Sequence, residues 1–306
     1  MMKKIFLFLM LAVGLLFVAC SDDGEGYDAD TAVSNYIPVL GGRKVASVHT
    51  TSVYDGRDYS WKHNFVYDKQ GRIKEVNSEI KHHRLWTQTV TGERHYRLCN
   101  ITSNAKYYYN GEFVKIAYSV ERDYPTYPAW NNSYSFIDAG LLNENGHIVN
   151  YTLGDGSGFE CDYNFTSLKS VTFDGGYVFD ILRDSKGNVN GHKFTGFDIA
   201  GDDSTSVKQG RYEYTSIENK TNFDFSAYLG YWEHERYISA LSDWPYASYQ
   251  LAAFGFFGSC SENLPMCAAS SAGNGASASK FWAFKDGYPV TYTDASGRVT
   301  EITYVE

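Results

Sequence analysis

The stretch FVYDKQGRIKEV, Phe65 to Val76, reads as two apolar strand segments joined by a polar turn. Asp68 opens the turn, because its side chain can accept hydrogen bonds from the backbone that follows, and Gly71 closes it in a left-handed conformation. The stretch therefore predicts a β-hairpin whose turn sets the register of its strands. Ile73 and Val76 lie three positions apart, which simple alternation does not explain, so we expect a β-bulge after the turn.

The same outline recurs along the chain: Asp or Asn after an apolar strand, then Gly, then an apolar residue two positions later. The other copies contain Asn110–Gly111, Asn143–Gly146, Asp184–Gly187 and Asp294–Gly297. The composition, with 26 Tyr, 19 Phe and 6 Pro, suits strands whose aromatic side chains pair across the ladder. The pattern predicts an all-β fold, an antiparallel meander of hairpins curved into a barrel or half-barrel.

The outline stops between Asn222 and Ala278, near the C-terminal third of the chain. Apolar residues there recur at spacings of three and four, for example at Tyr246, Tyr249 and Ala253, which predicts a short helical excursion. Such a segment either plugs the open end of the sheet or forms a functional lid, and the sequence leaves both interpretations open.

The N-terminus has the order of an export signal. Lys3 and Lys4 precede an apolar run that ends at Ala19. A small residue followed by Cys20 resembles the lipobox of bacterial lipoproteins, in which the cysteine becomes the lipidated first residue; an ordinary secretory signal is the alternative. The acidic stretch that follows resembles the surface-export signal of Bacteroidetes lipoproteins, and its low hydrophobicity predicts a flexible tether.

These features predict three parts: a signal peptide at 1–19, a lipidated Cys20 with its tether at 20–40, and a single antiparallel β domain at 41–306. The excursion occupies residues 222–278 of this domain. The expected location is the outer membrane, with the protein anchored through the lipid on Cys20 and exposed at the cell surface. No second apolar segment approaches the length of a membrane span.

The charge balance argues against nucleic acid as a partner. The formal net charge is −9, and removal of Lys3 and Lys4 with the signal makes it more acidic. Binding to DNA or RNA depends on Lys and Arg that neutralise phosphates. The densest basic cluster, KHHR at Lys81–Arg84, is typical of a solvated strand end.

No catalytic signature is complete, and no cofactor is predicted. WEHER, Trp232–Arg236, lacks the second histidine of a zinc protease motif. Asp198–Ser204 gathers carboxylates that suit either calcium or a solvated acidic turn, but lacks the ligand pattern of an EF-hand, so no metal site is assigned. Carboxylate pairs for glycoside hydrolysis cannot be recognised without knowing which residues face each other.

Aromatic residues in loops are the remaining candidates for ligand binding. The stretch Arg122–Tyr134 places Tyr124, Tyr127 and Trp130 among prolines and asparagines, as a sugar-binding surface does. The alternative is that these rings close one end of the sheet. By the same reasoning, the second-ranked candidates for ligand binding are Trp232, Trp244 and Tyr246.

Two covalent features remain open. Cys260 and Cys267 flank a Pro-containing loop and could form a disulfide, and two free buried thiols are the alternative. Asp30-Thr31-Ala32 resembles the O-glycosylation sequence of Bacteroidetes exported proteins, which makes Thr31 a candidate for modification.

The lipobox at Cys20, the hairpin FVYDKQGRIKEV, the segment GSCSENLPMC and the closing YTDASGRVTEITY together resemble Bacteroidetes surface lipoproteins with a domain of unknown function described as porin-like. The hairpin outline is also similar to the YD repeats of secreted toxins. The resemblance implies a fold and a location, but no catalytic residues. The leading interpretation is a non-enzymatic lipoprotein whose β domain binds a glycan or a partner protein. A glycan hydrolase with a carboxylate pair in the barrel and a structural envelope component are the alternatives.

Overall fold

The hairpin at Phe65–Val76 is present in a computed structural model of the chain, and it has the predicted turn and bulge. Asp68 Oδ1 accepts hydrogen bonds from the backbone N–H groups of Gln70 and Arg72, each at 2.9 Å. Gly71 closes the turn at a φ of +86°. Val66 pairs with Glu75, and Tyr67 pairs with Ile73, which leaves one extra residue between Ile73 and Glu75. The predicted β-bulge is thereby confirmed.

The structure describes residues 41–87, 94–174, 178–197, 203–209, 214–229, 251–258, 261–266, 281–294 and 297–306. The predicted signal peptide, the lipidation site Cys20, the tether and Thr31 lie outside these ranges. So do Trp232, Trp244, Tyr246, Cys260 and Cys267.

Four of the five recurring turns share one hydrogen-bond pattern. The backbone N–H of Asp68, Asn143, Asp184 or Asp294 donates to the carbonyl four residues later, and the turn glycine donates back to the carbonyl of that Asp or Asn. The fifth copy differs, because Asn110 pairs with Phe113 inside the ladder and Gly111 takes the first turn position at a φ of +59°. This geometry is a two-residue primed turn with glycine first.

Within the described ranges the chain forms seventeen strands. They are β1 (Val45–Tyr54), β2 (Arg57–Tyr67), β3 (Ile73–Thr87), β4 (Arg94–Asn110), β5 (Phe113–Asp123), β6 (Asn132–Leu142), β7 (Ile148–Thr152), β8 (Gly158–Asn164), β9 (Ser167–Phe173), β10 (Val178–Arg183), β11 (Val189–Phe197), β12 (Asp203–Gln209), β13 (Tyr214–Glu218), β14 (Asn263–Pro265), β15 (Trp282–Lys285), β16 (Tyr288–Thr293) and β17 (Val299–Tyr304).

Fifteen of these strands form one antiparallel sheet in the order β12-β11-β10-β9-β8-β7-β6-β5-β4-β3-β2-β1-β17-β16-β15, and β13 pairs with β14. Sequential neighbours pair throughout, except that β17 returns to β1. In the part of the chain that the structure describes, β12 and β15 are the edges and no pairing joins them. The all-β antiparallel meander is therefore confirmed. Within the described residues the sheet is open, as in the predicted half-barrel, and is not closed into a barrel.

The described part of the excursion, residues 222–229, 251–258 and 261–266, packs against one face of this sheet. We call this segment the insert, and the sheet face that it covers the inner face. A single helical turn, α1 (Phe225–Tyr228), begins the insert, and Leu251–Ala253 are also helical. Residues 230–250, which carry most of the predicted helical pattern, lie outside the described ranges. The described part supplies buried apolar residues to the main core.

Contacts of the insert show that the sheet curves around it. Phe225 packs on Trp282 of edge strand β15 at a ring-centroid distance of 5.4 Å. Ser226 Oγ lies 3.2 Å from Ser261 Oγ, which accepts a hydrogen bond from the N–H of Val189 at the start of β11. In a flat sheet these two strands would lie about 60 Å apart, since neighbouring strands are spaced by ~4.8 Å. Phe225 and its neighbour Ser226 instead connect β15 to β11 through a few side chains, so the sheet must curve around the insert.

Aromatic side chains fill the space between the insert and the inner face. Phe254 meets Phe65 of β2 edge to face, at a centroid distance of 4.9 Å, and Phe257 packs against Phe159 of β8 at 5.9 Å. Phe256 stacks on Tyr107 of β4 at 6.0 Å and its carbonyl accepts the N–H of Ile148 at 2.7 Å. The insert is therefore a plug in the core, as one of the two interpretations of the excursion proposed. No helix in the described ranges is long and apolar enough to cross a membrane.

Two buried titratable groups on the inner face have opposite effects on stability. Burial lowers the pKa of His63, whose Nδ1 lies 2.8 Å from Ser78 Oγ, to about 4. Burial raises the pKa of Asp138 to about 6, although its carboxylate accepts hydrogen bonds from the hydroxyl of Tyr151 at 2.8 Å and the N–H of Gly154 at 2.9 Å. Both groups therefore favour their neutral forms in the folded protein.

Below pH 6.5, these two groups are expected to oppose each other. The unfolded chain protonates His63 first, so the contribution of His63 to stability falls between pH 6.5 and about 4. Asp138 keeps its proton in the fold, so its contribution rises as the pH drops from about 6 to about 4. Each shift corresponds to about 3 kcal/mol, since one pKa unit is ~1.4 kcal/mol.

We therefore predict opposite pH slopes for two variants. Relative to the unsubstituted protein, Asp138→Asn should lose about 3 kcal/mol of unfolding free energy between pH 7 and pH 4, because it removes the compensating group. His63→Gln should gain a similar amount over that interval. Urea unfolding at both pH values measures the slopes, and equal slopes in both variants would contradict the assignment.

Candidate functional site

The predicted aromatic loop, which connects β5 to β6, is held by one asparagine. Pro125 and Pro128 prevent the strands from continuing, and Pro128–Trp130 form a 3-10 turn. Asn131 Oδ1 accepts the backbone N–H of Tyr124 at 2.7 Å, and Asn131 Nδ2 donates to Asp123 Oδ1 at 2.8 Å. These bonds join the two ends of the loop, so its rings are presented on a defined backbone.

Only two of the three predicted rings are accessible. Tyr124 is 3% exposed and packs with Ile80, Cys99, Ile101 and Val120 in a second core cluster on the inner face. Its ring packs edge to face against the indole of Trp130, so it supports that side chain from the core side. Tyr127 and Trp130 remain 43% and 40% exposed. Tyr124 thus belongs to the core, whereas Tyr127 and Trp130 are available to a ligand.

A buried arginine organises the two exposed rings. The guanidinium carbon of Arg97, on β4, lies 3.6 Å from the ring centroid of Tyr127 and 3.9 Å from that of Trp130. The two centroids are 5.8 Å apart, with a tilt of 34° between the rings. A cation over aromatic faces contributes about 0.5–2 kcal/mol, more as it is desolvated, and Arg97 is largely buried. We call Arg97, Tyr127 and Trp130 the platform.

Strand alternation divides the basic cluster KHHR between the two faces of β3. Lys81 and His83 lie on the outer face, where Lys81 Nζ is 3.8 Å from Asp58 Oδ2. His82 and Arg84 lie on the inner face, opposite Cys99 and Arg97 of β4. Arg84 is exposed and the other three side chains are half-buried, so the cluster is partly solvated on both faces of the strand.

Arg122 of β5 joins the inner-face residues. It is the cross-strand partner of Ile101, and its guanidinium lies 5.1 Å from the ring centroid of Tyr134. We call Arg84, Arg97 and Arg122 the arginine group. Burial lowers the pKa of His82, and the positive charges of Arg122 and Arg84 lower it further.

Sequence reasoning found the two rings of the platform but missed the arginine group. Arg97 follows a run of polar residues with no motif around it, and Arg122 sits in the polar stretch Glu121–Asp123. Alternation could have assigned each arginine to a strand face, but only the pairing register places Arg84 opposite Arg97, and Arg122 opposite Ile101 four residues further along β4.

The outer face carries a row of polar side chains that face one another across seven neighbouring strands. The row runs from β17 to β6 and consists of Thr303, Ser47, Asn64, Asn77, Asn104, Ser119 and Ser135. Part of it lines an open groove of about 330 Å³ together with Glu79, Thr102 and Glu121. Asn104 Nδ2 donates to Asn77 Oδ1 at 2.7 Å, and Asn77 Nδ2 donates to Glu75 Oε1 at 3.0 Å. These amides bond to one another, and the lining contains no aromatic ring, so the groove ranks below the platform as a binding site.

The buried carboxylates of the described interior all have structural partners. Asp68 pairs with Arg72, Asp138 bonds Tyr151, and Asp224 accepts hydrogen bonds from Ser226. The insert fills the inner face around them, and within the described residues no cluster of three His, Cys, Asp or Glu side chains could hold a metal. The acidic loop Asp198–Ser204 lies mostly outside the described ranges. Cys99 and Cys161 are free, buried thiols.

Comparisons with known proteins find similar solved structures but no similar sequence family. No protein-family model and no curated protein sequence matches the chain. A porin-like protein from Bacteroides uniformis, solved by crystallography, is similar in structure with a TM-score of 0.49 and 10% sequence identity. The similarity covers 85% of this chain and 98% of that protein.

Proposed function

We propose that this protein is a surface-exposed outer-membrane lipoprotein that binds a glycan on the platform. The observation that carries this proposal is the pair of half-exposed rings, Tyr127 and Trp130, held in place by Arg97. Apolar faces of sugars stack on such rings, and rings fixed before binding lose little conformational entropy when the ligand arrives.

Neighbouring polar groups suit the hydroxyls of a sugar. Asn132 and Ser133 follow the platform at the start of β6 and are exposed. Asn131 already fixes the loop through Asp123 and Tyr124, so it contributes to the shape of the site. The packed inner face favours a site on this loop over one inside the sheet, because the insert occupies the interior.

The lipoprotein part of the proposal rests on the N-terminal sequence. The apolar run ending at Ala19, followed by Cys20 and an acidic stretch, supports lipidation of Cys20 and export to the cell surface. A surface location gives the platform access to external glycans.

Metabolic labelling with a fatty acid tests the lipidation of Cys20. We expect the unsubstituted protein to be labelled and the Cys20→Ser variant to remain unlabelled. Label on Cys20→Ser would contradict lipidation at this cysteine.

Loss of one platform ring should weaken glycan binding without unfolding the protein. For Trp130→Ala and Tyr127→Ala we expect dissociation constants at least about tenfold higher, corresponding to ~1.4 kcal/mol of lost stacking, with melting temperatures lowered by no more than about 5 °C through the lost contact with Arg97. A glycan array followed by calorimetry measures both. Phe284→Ala is the matched control, because this ring of β15 is similarly exposed and belongs to a different part of the sheet. Absence of binding by folded protein across a broad array contradicts the proposal.

A further inference from the structure

The platform and the start of the folded chain lie at opposite ends of the sheet. β1 begins at Val45, and the loop of the platform follows β5, which runs parallel to β1 because neighbouring strands alternate in direction. We call the end where β1 begins the lower end. Asn110, where β4 reaches the lower end, is 13 residues after Arg97. The platform is therefore about 40 Å from the lower end along the strand, at ~3.3 Å per residue.

The turn between β8 and β9, also at the lower end, holds an aromatic ring out into solvent. Phe165 and Thr166 are its two residues. Phe165 is 89% exposed and has a φ of +57°, a left-handed conformation that is unfavourable for a bulky side chain. The other described non-glycine residues with positive φ, Asp55 and Asp286, have short polar side chains that tolerate it. The exposed ring and the backbone conformation of Phe165 both cost free energy in the isolated fold.

The insert fixes this turn from the inside. Ser167 forms an isolated antiparallel bridge with Gly258. A Cβ atom added to Gly258 would lie 2.4 Å from the carbonyl oxygen of Thr166, so the backbones of the turn and the insert are in direct contact. The ring of Phe165 therefore projects from a fixed support, and little conformational entropy is lost when a partner buries it.

The chain enters the fold at the same lower end. The predicted tether, residues 20–40, lies outside the described ranges and precedes β1 by a few residues. A flexible chain of about 20 residues has an r.m.s. span of ~25 Å. This span is shorter than the distance from the lower end to the platform. A lipid on Cys20 would therefore hold the lower end close to the membrane and leave the platform on the far side.

We propose that the lower end of the sheet docks on the membrane and that Phe165 inserts its ring into the acyl layer. This inference rests on the lipidation of Cys20 in the proposed function, and it adds that the platform points away from the membrane. A phenyl ring gains free energy when it leaves water. The lipid anchor makes insertion of the ring an intramolecular step, so one ring is enough to shift the balance between docked and undocked protein.

Photo-crosslinking from the lipid side tests this contact on the unsubstituted protein. Protein purified from membranes is reconstituted into phosphatidylcholine vesicles that include a phosphatidylcholine with a diazirine in its acyl chain. Mass spectrometry then locates the lipid adducts. We expect adducts on the Phe165 turn at least about tenfold more often than on the turn between β1 and β2. Tyr54 of that second turn is 67% exposed, at the opposite end of the sheet.

A substitution of Phe165 assigns the contact to its ring. Phe165→Asp should lower adduct formation on its turn by about tenfold, because burial of a carboxylate in hydrocarbon is unfavourable. Tyr54→Asp is the matched control and should leave the adducts on the Phe165 turn unchanged. Both side chains are mostly exposed, so each variant should keep its melting temperature within about 2 °C of the unsubstituted protein.

A second anchor separates this inference from the lipidation of Cys20. A C-terminal hexahistidine tag on the full chain holds the lower end, where β17 ends, to vesicles that contain a nickel-chelating lipid. Adducts on the Phe165 turn of the tagged protein alone remove the lipid on Cys20 and retain the membrane contact. Equal adducts at both ends, or adducts unchanged by Phe165→Asp, overturn the contact and leave lipidation intact. Absence of adducts from the Phe165 turn in both preparations overturns the contact as well.

Discussion

Arg72→Met is expected to lower the free energy of unfolding by about 3–5 kcal/mol, because it leaves a buried carboxylate without its cation. Arg72 Nε donates to Asp68 Oδ2 at 2.5 Å, and both side chains are almost fully inaccessible. The guanidinium also lies 4.3 Å from the ring centroid of Tyr109. Chemical denaturation at neutral pH measures the loss.

The chain contains a matched control for this prediction. Arg298 and Asp294 occupy the same positions in the last copy of the turn, but their side chains are 45% and 19% exposed and 3.5 Å apart. Arg298→Met should cost less than about 1 kcal/mol, because water already solvates that pair. The double variant Asp68→Asn/Arg72→Met should recover part of the loss. If Arg72→Met and Arg298→Met lower the free energy of unfolding equally, burial does not determine how much the Asp–Arg pair of this turn contributes to stability.

Phe256→Ala should lower the free energy of unfolding by about 3–5 kcal/mol, the usual cost of removing a fully buried phenyl ring and leaving a cavity. Phe256 joins the insert to the C-terminal end of β4, where its ring stacks on Tyr107 and Tyr109. These tyrosines are themselves buried, so little relaxation can fill the space. Thermal and urea unfolding with a core-sensitive fluorescence signal measure the effect.

Phe165→Ala provides the comparison, because this ring lies in the turn between β8 and β9 and is 89% exposed. We expect its effect to stay within about 0.5 kcal/mol. A small effect at Phe256 would mean that the sheet holds its curvature without the insert. A large effect would establish the insert as a structural part of the core.

The hairpins of this fold could be predicted because their turns depend on local hydrogen bonds. In FVYDKQGRIKEV, Asp68 and Gly71 set the turn through hydrogen bonds that span only a few residues, and the spacing of Ile73 and Val76 disclosed the bulge. The copy at Asn110–Gly111 shows the limit of such reasoning. Its reversal was predicted, but the ladder extends one residue further than the usual Asn-Gly turn would allow.

The parts of the site that could not be predicted depend on side-chain burial and on the pairing register of distant strands. Tyr124, Tyr127 and Trp130 look alike in the sequence, and only packing against Ile80, Cys99 and their neighbours separates the first ring from the other two. The partner that organises the exposed rings, Arg97, lies thirty residues or more from them along the chain. No local pattern encodes a contact of that range.

The sequence by itself determined the hairpins, their turns and the antiparallel class, because these depend on interactions between residues close along the chain. Tertiary structure alone decided that the insert fills the inner face and that Arg84 lies directly opposite Arg97 of the platform. The physical reason is the two-residue period of strands: a shift of one position in pairing would move each of these side chains to the opposite face.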